Sequence, residues 1–495
     1  MANDPSALHP AVSDMAADRD MIDALMGGTD AMRAAGETYL PRFPKEEKDE
    51  NGYDPYEFRL SNSTLLPGYS QTVINNTGRV FAEPITFDND VPKPILDLTD
   101  DIDRQGNNLQ VWAQTVFAQG LAQGIHFGLA DFPDTTGPDG QPQYKTRADE
   151  LKAGVRPFAV TIALRQVLGW KESGKDGIYS LQQFRYMEMV EEDDPKNEFN
   201  VIQIQQIRVL EPGSWRTYRK STEGRNKGKW ELHNEGSTSL DFIPLATLYT
   251  GRTGFMQAKP PLLELAHLNV KHWRSQSDQD NILHVARVPI LVGIGVEDGV
   301  DENGQVVPWE MTIGSSSAVR ISNADGNLQF VEHTGAAIEA GRTSLKDLVD
   351  EMRMAGAKLL QSDKQQTKTA TQASEEAAQE NSPLETMASN LEDFIDLMLF
   401  FFASFMGEKK GGHCKVHGNF DIDYAPETNM PFLKSMADAG YLSQETLFAE
   451  VQRRSIISPD LVWEEEKQRI NDQGPALGGL GGGPTPNAGG AGSGQ

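Results

Sequence analysis

Residues 341–407 read GRTSLKDLVDEMRMAGAKLLQSDKQQTKTATQASEEAAQENSPLETMASNLEDFIDLMLFFFASFMG, and this stretch decides the fold. Apolar residues recur at helical spacing as far as Leu360, and they do so again from Leu384 to Gly407. Residues 361–371 between them are polar and have no periodicity. The stretch therefore predicts an amphipathic helix, a polar break and a longer, acidic helix. It contains no catalytic motif, which favours a structural part of a molecular machine, one that positions another component, over an enzyme.

The longer helix carries its own start signal. Helical pattern returns near Ala373 and is interrupted before Pro383. Ser382 with Glu385 makes a capping box, and proline is favourable at a first helical position. The residue before a proline disfavours α geometry. We therefore expect two helices or one sharply kinked helix over residues 373–407, with Ser382, Pro383 and Glu385 setting the kink.

Composition limits the classes of function. The chain has 495 residues, with 72 acidic against 45 basic side chains and a formal net charge of −27. A protein this acidic does not bind nucleic acid through its overall field, although a local basic element can still meet DNA. Its one cysteine, Cys414, excludes an intramolecular disulfide framework. The N-terminus lacks the apolar region of a signal peptide, and the apolar run 397–406 is about half of the ~20 residues that a membrane span needs. We expect a soluble protein that is cytosolic or part of a particle.

The rest of the chain predicts an α+β fold. Runs of β-branched and aromatic residues between turn signals predict an antiparallel β region, and periodic apolar residues predict helices. In chain order the predictions are a mobile N-terminus at 1–20, a helix at 16–35, an extended, loop-rich arm at 36–68, a helix end and strand at 75–87, a helix at Leu109–Gln123, the β region at 155–248, a helix opened by Pro260 and Pro261, a small β-rich insertion before residue 340, short helices after residue 430, and a disordered glycine-rich tail at 474–495.

Two local patterns suggest metal binding but do not complete a site. Asp101–Gly106 begins like a calcium loop, yet Trp112 stands where the motif needs a bidentate glutamate, so we expect a turn that caps the following helix. His413, Cys414 and His417 do not supply a tetrahedral ligand set, and a strand edge explains them better. We expect no metal and no cofactor.

A basic cluster surrounds the turn GRNKG. Its members are Arg216, Arg219, Lys220, Arg225, Lys227 and Lys229. The cluster is either a nucleic-acid contact or a solvated hairpin tip, and the flanking glycines favour the hairpin tip.

Charge changes sign across the polar break. Four cations at the first helix end and in the break are opposed only by Asp363, whereas residues 375–396 are acidic without a basic residue. The cations are Arg353, Lys358, Lys364 and Lys368. One explanation is complementation of the two helix ends, which local physics favours. The other is a loop whose lysines meet phosphate transiently while the acidic surroundings prevent capture.

The order of elements resembles the portal, or head-to-tail connector, proteins of tailed bacteriophages, in a portal-like branch formerly of unknown function. The resemblance runs over residues 60–472. It rests on the helix opened by KPPLLELAHLNVKHW, the insertion, the helix SLKDLVDEMRMAGAKLL, the TATQA-containing break, the long helix, and the C-terminal FDIDYAPETN, MADAGYLSQETLFAEVQRR and EEEKQRI.

This resemblance implies a portal fold with a wing, a two-helix stem, a small β-rich clip, a long kinked wing helix and a helical crown. Laid on this chain, the plan gives the wing at 20–258, the first stem helix at 260–285, the clip at 286–340, the second stem helix at 341–360, the tunnel loop at 361–371, the long wing helix at 373–407, the crown at 408–472 and a disordered tail at 473–495. The tunnel loop would then present Gln361, Lys364, Gln365, Gln366 and Lys368 to a DNA channel.

The resemblance further implies a non-enzymatic ring, usually a dodecamer, at one capsid vertex of the virion, assembled in the host cytoplasm. Its implied partners are double-stranded DNA without sequence specificity, the terminase large subunit, the major capsid and scaffolding proteins, and neck adaptor and tail proteins, with no membrane. The alternatives are another structural virion component of the head or neck without a DNA channel, and a hydrolase, for which no residue can be nominated.

Overall fold

The computed structural model describes residues 4–44, 46–133, 135, 143–144, 146–174, 180–222, 226–286, 290–294, 299–300, 305–307, 327–331, 335–360, 382–420, 426–453, 457 and 461–472. The chain divides into two compact units, residues 1–420 and 421–495.

The helices follow in chain order. They are α1 (Pro10–Asp14), α2 (Ala16–Met26), α3 (Gly28–Ala35), α4 (Pro55–Asn62), α5 (Gly68–Val80), α6 (Lys93–Leu96), α7 (Leu109–Gln123), α8 (Arg147–Lys152), α9 (Leu263–Ala286), α10 (Ala336–Ala357), α11 (Pro383–Met406), α12 (Pro426–Asp438), α13 (Gln444–Arg453) and α14 (Trp463–Asp472). A 3-10 turn, Lys358–Leu360, extends α10.

The strands are short except in one sheet. They are β1 (Thr86–Phe87), β2 (Ile125–Asp131), β3 (Phe158–Ile162), β4 (Val167–Ser173), β5 (Ser180–Asp193), β6 (Val201–Glu211), β7 (Ser214–Lys220), β8 (Trp230–Ser237), β9 (Leu245–Tyr249), β10 (Arg252–Gly254), β11 (Gln257–Ala258), β12 (Ile290–Ile294), β13 (Gly299–Val300), β14 (Val306–Val307), β15 (Asn327–Val331) and β16 (Cys414–Lys415).

The chain is α+β, as predicted. Strands β4 to β8 form a five-stranded antiparallel meander, and β3, β2 and β9 form a second antiparallel sheet, so the predicted β region is confirmed. Helix α7 has the predicted bounds. The expected helix end and strand at 75–87 are α5 and β1. In the described part of the insertion, β12 pairs with β15 and β13 with β14, in agreement with a small β-rich segment.

The main core of the first unit lies where helices cover the three-stranded sheet. The long helix α11 packs on β2 so closely that a Cβ at Gly128 would overlap the ring of Phe394. Trp112 of α7 stacks on the same ring, with centroids 5.8 Å apart. Large aromatic surface is therefore removed from water at one place, and this burial joins sheet, α7 and α11 into one body.

The prediction of an extended arm at 36–68 is wrong. Asp54 accepts hydrogen bonds from the backbone N–H groups of Tyr56 and Glu57, and Pro55 occupies the first helical position, so the segment forms α4. The side chains of Leu40, Tyr56, Leu60 and Leu65 are buried in the core.

A buried ion pair ties this segment to the rest of the unit. The Arg59 Nε atom lies 2.7 Å from Glu46 Oε1, and the two side chains are only 3% and 10% exposed. Arg59 also donates to the carbonyl oxygen of Pro41 at 2.7 Å and to Ser277 Oγ at 3.4 Å. Burial raises the pKa of Glu46, but the hydrogen bonds from Arg59 and from the Phe43 N–H outweigh it and leave the pKa below 4.5.

The described residues of the second unit form three helices. Ser443 caps α13 by accepting a hydrogen bond from the Thr446 N–H at 3.0 Å, as the sequence predicts. The rings of Phe448 and Trp463 lie 5.4 Å apart and join α13 to α14.

We expect Glu46→Gln to lower the free energy of unfolding by about 3 kcal/mol at pH 7, because it leaves the buried Arg59 guanidinium without a carboxylate. The folded-state pKa of Glu46 is depressed, so its contribution is present above pH 4.5 and is lost as the pH falls through the folded value. The difference between the wild type and the variant should shrink accordingly in urea unfolding followed by tryptophan fluorescence. The control, Glu339→Gln, removes an exposed pair with Arg342 and should change nothing measurable. Equal effects of both substitutions would contradict the stabilising role of the buried Glu46–Arg59 pair.

Candidate functional site

Helices α9 and α10 form an antiparallel pair. Near one end, the Lys358 Nζ atom lies 3.7 Å from Glu264 Oε2. Near the other end, Gln279 Nε2 donates to the carbonyl oxygen of Ile338 at 3.0 Å. Gly341 lies against the Gln279 side chain and leaves no room for a Cβ there. The insertion of residues 287–335 therefore begins and returns at the same end of the pair.

The predicted apolar face of α9 is confirmed, because Leu262, Leu265, Ala266, Asn269 and Trp273 are all at most 2% exposed. The expected start at Pro260 and Pro261 is early. Both prolines precede the helix, and the carbonyl oxygen of Pro260 accepts from the Leu263 N–H at 3.2 Å.

Asn269 is the polar member of this face, and it is fully buried. Its Oδ1 atom accepts from the Tyr69 N–H at 2.8 Å, and its Nδ2 atom donates to the carbonyl oxygen of Leu66 at 2.9 Å. Gly68 begins α5 between these partners, and a Cβ there would overlap the Met352 side chain of α10. One amide thus fixes the N-terminus of α5 against both α9 and α10.

Helix α9 continues through the polar residues after Trp273 because their side chains find partners in the fold. Ser277 Oγ lies 2.8 Å from Ser63 Oγ and accepts from Arg59. Asp278, close to the same Arg59–Glu46 pair, has its pKa raised, chiefly by burial.

The start and end of α11 are as predicted. Ser382 Oγ accepts from the Glu385 N–H at 3.2 Å, Pro383 is the first helical residue, and Gly407 ends the helix in the left-handed conformation with φ = 76°. Residues 373–381 lie outside the described residues, so the kink assigned to Ser382, Pro383 and Glu385 stays a prediction.

Aromatic residues of α11 are buried on most of the circumference. Phe401 and Phe402 are 5% and 1% exposed, whereas Phe400 is 42% exposed and packs against Phe242 at a centroid distance of 6.0 Å. The chain itself therefore buries two of the three phenylalanines of this turn and leaves Phe400 partly exposed.

The strand edge expected at His413, Cys414 and His417 is present as β16. Two acidic side chains of α11 hold this strand, and the sequence pattern did not reveal that role. Glu392 accepts from the Val416 N–H at 2.8 Å and pairs with Lys415 Nζ at 3.2 Å. Asp396 accepts from the Cys414 N–H at 2.8 Å, and burial leaves its pKa raised. These carboxylates serve as backbone acceptors, not as a solvated helix face.

The predicted channel residues Gln361, Lys364, Gln365, Gln366 and Lys368 lie outside the described residues. Of the cations before them, Arg353 pairs with Asp350 at 2.7 Å, and Lys358 pairs with Glu264. Both pairs are exposed, so they favour the helix-end explanation for these two residues.

Two of the arginines of the basic cluster at 216–229 pair with carboxylates of their own sheet, and Arg225 lies outside the described residues. Arg216 pairs with Glu211 at 2.7 Å, Arg219 pairs with Glu192 at 2.6 Å, and Lys220 lies over the ring of Trp230. The preference for a solvated hairpin agrees with these contacts.

Near both candidate metal patterns, at Asp101–Gly106 and at His413, carboxylates are engaged in hydrogen bonds within the chain. Asp103 accepts from the N–H groups of Gln105 and Asn107, which shapes the expected turn before α7. Asp88, Asp90 and His413 approach one another at the surface, but His413 Nδ1 already lies 2.6 Å from Asp90, and this contact raises the pKa of His413. The absence of a metal stays a prediction.

We expect Asn269→Ala to destabilise the first unit by about 2–3 kcal/mol, because it leaves a buried N–H and a buried carbonyl without partners. The measurement is the midpoint of urea unfolding followed by tryptophan fluorescence. Lys271→Ala, at an exposed position of the same helix, is the control and should unfold like the wild type. If Asn269→Ala also matched the wild type, Asn269 would not be the anchor of α5.

Residues 261–406 match a family model described as Domain of unknown function (DUF4055). The match begins just before α9, ends with α11 and covers less than a third of the chain. In the described part of the chain, no helix is both long and apolar enough to span a membrane. No curated protein matches in sequence.

Solved structures with similar chains include three of gene transfer agent (GTA) particles. They are the virion of the native particle (12% identity, TM-score 0.38, 77% of this chain and 87% of that chain covered), the neck of the empty particle computed with C6 symmetry (11% identity, TM-score 0.40, 77% and 88% covered), and the neck of the native particle computed with C12 symmetry (11% identity, TM-score 0.37, 78% and 88% covered). All three TM-scores lie below 0.5.

Proposed function

We propose that this chain is a portal subunit that forms a ring at one capsid vertex and lines the channel for double-stranded DNA. The observation that carries the proposal is the helix pair α9 and α10, joined at one end by a small β-rich insertion and followed, across a polar break, by the apolar helix α11. This is the order of elements that the portal resemblance implies.

The proposed plan assigns α9 and α10 to the stem, the insertion to the clip, residues 361–371 to the tunnel loop, and the sheets with α11 to the wing. Helix α9 has 24 residues, which gives a length of about 36 Å. The crown takes residues 408–472, of which 408–420 belong to the first compact unit. The hydrogen bonds of Asn269 would hold α9 against α5 of the wing, and the hydrogen bond of Gln279 would hold the two stem helices together, while DNA passes.

Charge supports a conduit over a DNA-binding protein. Each phosphate that a cation neutralises adds salt-dependent affinity, so a channel through which DNA slides needs few cations. The chain carries −27 net charge, and the cations Arg353, Lys358, Arg216 and Arg219 are engaged by carboxylates. Lys364 and Lys368 are then the proposed transient phosphate contacts of the channel.

In this proposal the ring is a dodecamer, acts without catalysis of its own, and docks first the terminase large subunit and later the neck adaptor and tail proteins.

The second candidate is another structural component of the head or neck without a DNA channel. The two differ in one observable. Negative-stain images of the purified full chain should show a ring with a central pore for a portal, whereas a pore-less assembly or a persistent monomer would overturn it.

A second test addresses the channel itself. We expect Lys364→Glu with Lys368→Glu to leave ring formation intact and to impair DNA packaging, with the salt slope of DNA association reduced by about one per lysine. The measurement is DNA protected from nuclease in a reconstituted packaging reaction over a range of salt concentrations.

The matched control is Lys434→Glu with Lys467→Glu, which makes the same charge change at exposed positions of the second unit. Equal packaging by the tunnel-loop variant and the wild type would assign the two lysines to helix-end complementation instead.

A further inference from the structure

The hairpin of β5 and β6 extends beyond the sheet that supports it. Strand β4 pairs with β5 only as far as Tyr186, and β7 pairs with β6 only as far as Gln206. Within the described residues, 189–193 and 201–205 pair only with each other. About five residues of each strand, or roughly 17 Å, therefore project as a two-stranded ribbon. Residues 189–205 are called the acidic ribbon.

The acidic ribbon exposes apolar side chains that are costly to leave in water. Phe199 at its tip is 90% exposed, and Met189, Val201 and Ile202 are 53%, 51% and 40% exposed. A lone two-stranded ribbon is marginally stable in water, and contiguous exposed apolar side chains mark contact sites for other proteins. The ribbon thus has the features of an element that is completed by a partner.

The charge of the ribbon restricts that partner. Its carboxylates are Glu191, Glu192, Asp193, Asp194 and Glu198, and Lys196 is its one cation. Since Glu192 is the carboxylate that Arg219 engages, the other four leave most of this negative charge available to a basic surface with an apolar floor.

Two of the larger cavities of the chain differ in charge. One, of about 820 Å³, is lined by the carboxylates of Asp131, Glu150, Glu188, Glu211 and Glu235 against Arg208 and Arg219, and it would repel the ribbon. The other, of about 1120 Å³, is lined by Lys171, Arg185 and Arg252 against Glu172. The second cavity is called the basic groove.

The basic groove also offers an apolar wall. The ring of His9 stacks on Trp170 at a centroid distance of 4.4 Å, and Leu8 beside them is 56% exposed. Arg185 donates to the carbonyl oxygens of Pro5 and Ala7 at 2.7 and 3.1 Å, which holds the N-terminal segment as the rim of the groove. Trp170 itself is buried, so the wall that a partner can touch is Leu8 and the His9 ring, and a phenylalanine flanked by carboxylates fits such a wall beside cations.

The ribbon cannot reach the groove of its own chain. Arg185 lies on the same strand as the ribbon, and the eight residues from Arg185 to Asp193 span about 26 Å along a straight strand. The ribbon points away along this direction, so a complementary groove must come from another copy.

We propose that the acidic ribbon of one copy docks into the basic groove of the next copy, with Phe199 against Leu8 and the His9 ring. The two surfaces are different, so the contact is heterologous, and repetition of a heterologous contact builds a ring when the rotation closes. The inference rests on the proposed function in that a ring supplies the second copy, and it adds which surfaces join the subunits.

Charge reversal tests the contact. Glu191→Lys with Asp193→Lys, or Lys171→Glu with Arg252→Glu, should each raise the concentration needed for assembly by about tenfold or more, because like charges then face each other. All four substitutions in one chain should restore assembly. The measurement is light scattering after size-exclusion chromatography of the full chain at 0.15 M salt. The control, Glu464→Lys with Glu465→Lys, reverses two exposed charges of the second unit and should assemble normally.

Disulfide trapping tests the same contact without relying on charge. The native Cys414 is buried, so Leu8→Cys with Phe199→Cys introduces two accessible thiols. Mild oxidation should produce covalent ladders of chains on non-reducing gels. Leu8→Cys with Tyr441→Cys, which places the second thiol at an 82% exposed position of the other unit, should not.

The outcomes separate this inference from the proposed function. Rings with a pore that form equally well in every charge variant, without a disulfide ladder, would overturn the ribbon contact and leave the portal proposal standing. Loss and rescue of a pore-less assembly would support the contact and overturn the portal. A wild-type chain that never associates would overturn both.

Discussion

The buried amide of Asn269 is the interaction on which the rest of the first unit depends. Helix α9 packs against both α5 and α10, and apolar packing alone constrains its position along them less sharply than hydrogen bonds do. The two hydrogen bonds of Asn269 fix α9 against the start of α5, because any other register would bury an N–H and a carbonyl without partners. Further along the helix, Ser277 bonds to Ser63 and Gln279 bonds to the Ile338 carbonyl of α10. Polar groups therefore fix the position of α9 against each of its neighbours, and apolar side chains bury the contacts.

Much of the acidic character of the chain is used inside the fold. Glu46 and Asp131 each bind a buried or half-buried arginine, and Glu392 and Asp396 accept backbone N–H groups of β16 and its neighbours. The two carboxylate–arginine pairs already cancel within the formal net charge of −27, and because their charges lie within 3 Å of each other they add little to the field outside the protein. The outward field is set by the surplus of carboxylates over cations, and the acidic ribbon concentrates several of these carboxylates in one place.

Sequence signals within a few residues predicted most helices and strands. The prediction that failed depended on contacts between residues far apart in sequence. The bounds of α7, the capping by Ser382 and the apolar face of α9 follow from residues within a few positions of one another. The proline and acidic residues of segment 36–68 predict a loop because nothing nearby in sequence indicates that they are buried. Arg59 of this segment also donates a hydrogen bond to Ser277, more than 200 residues away in sequence. Of its features, only Asp54 before Pro55 was a visible helix start.

The candidate site shows the same division. That the helix pair encloses an insertion could be predicted from periodicity, whereas the acceptor role of Glu392 and Asp396 could not, since on a helix wheel they look like a solvated stripe. The sequence also does not predict how far the β5–β6 hairpin extends beyond its neighbouring strands. That length depends on the residues at which β4 and β7 stop pairing, and an alternating apolar pattern does not specify these residues.

The proposed ring of acidic subunits would face a balance between repulsion over the whole molecule and attraction at the contact. At physiological ionic strength the screening length is about 8 Å, so charges spread over a subunit are largely screened from those of its neighbour. Ion pairs formed within about 4 Å are screened much less, and partial desolvation around Phe199 and Leu8 in the proposed contact would strengthen them further. Concentrating cations in one groove and carboxylates on one ribbon would thus let a strongly acidic chain associate with itself while the rest of its surface repels DNA. A chain with the same net charge spread evenly would also repel DNA, but it would have no such contact with its own copies.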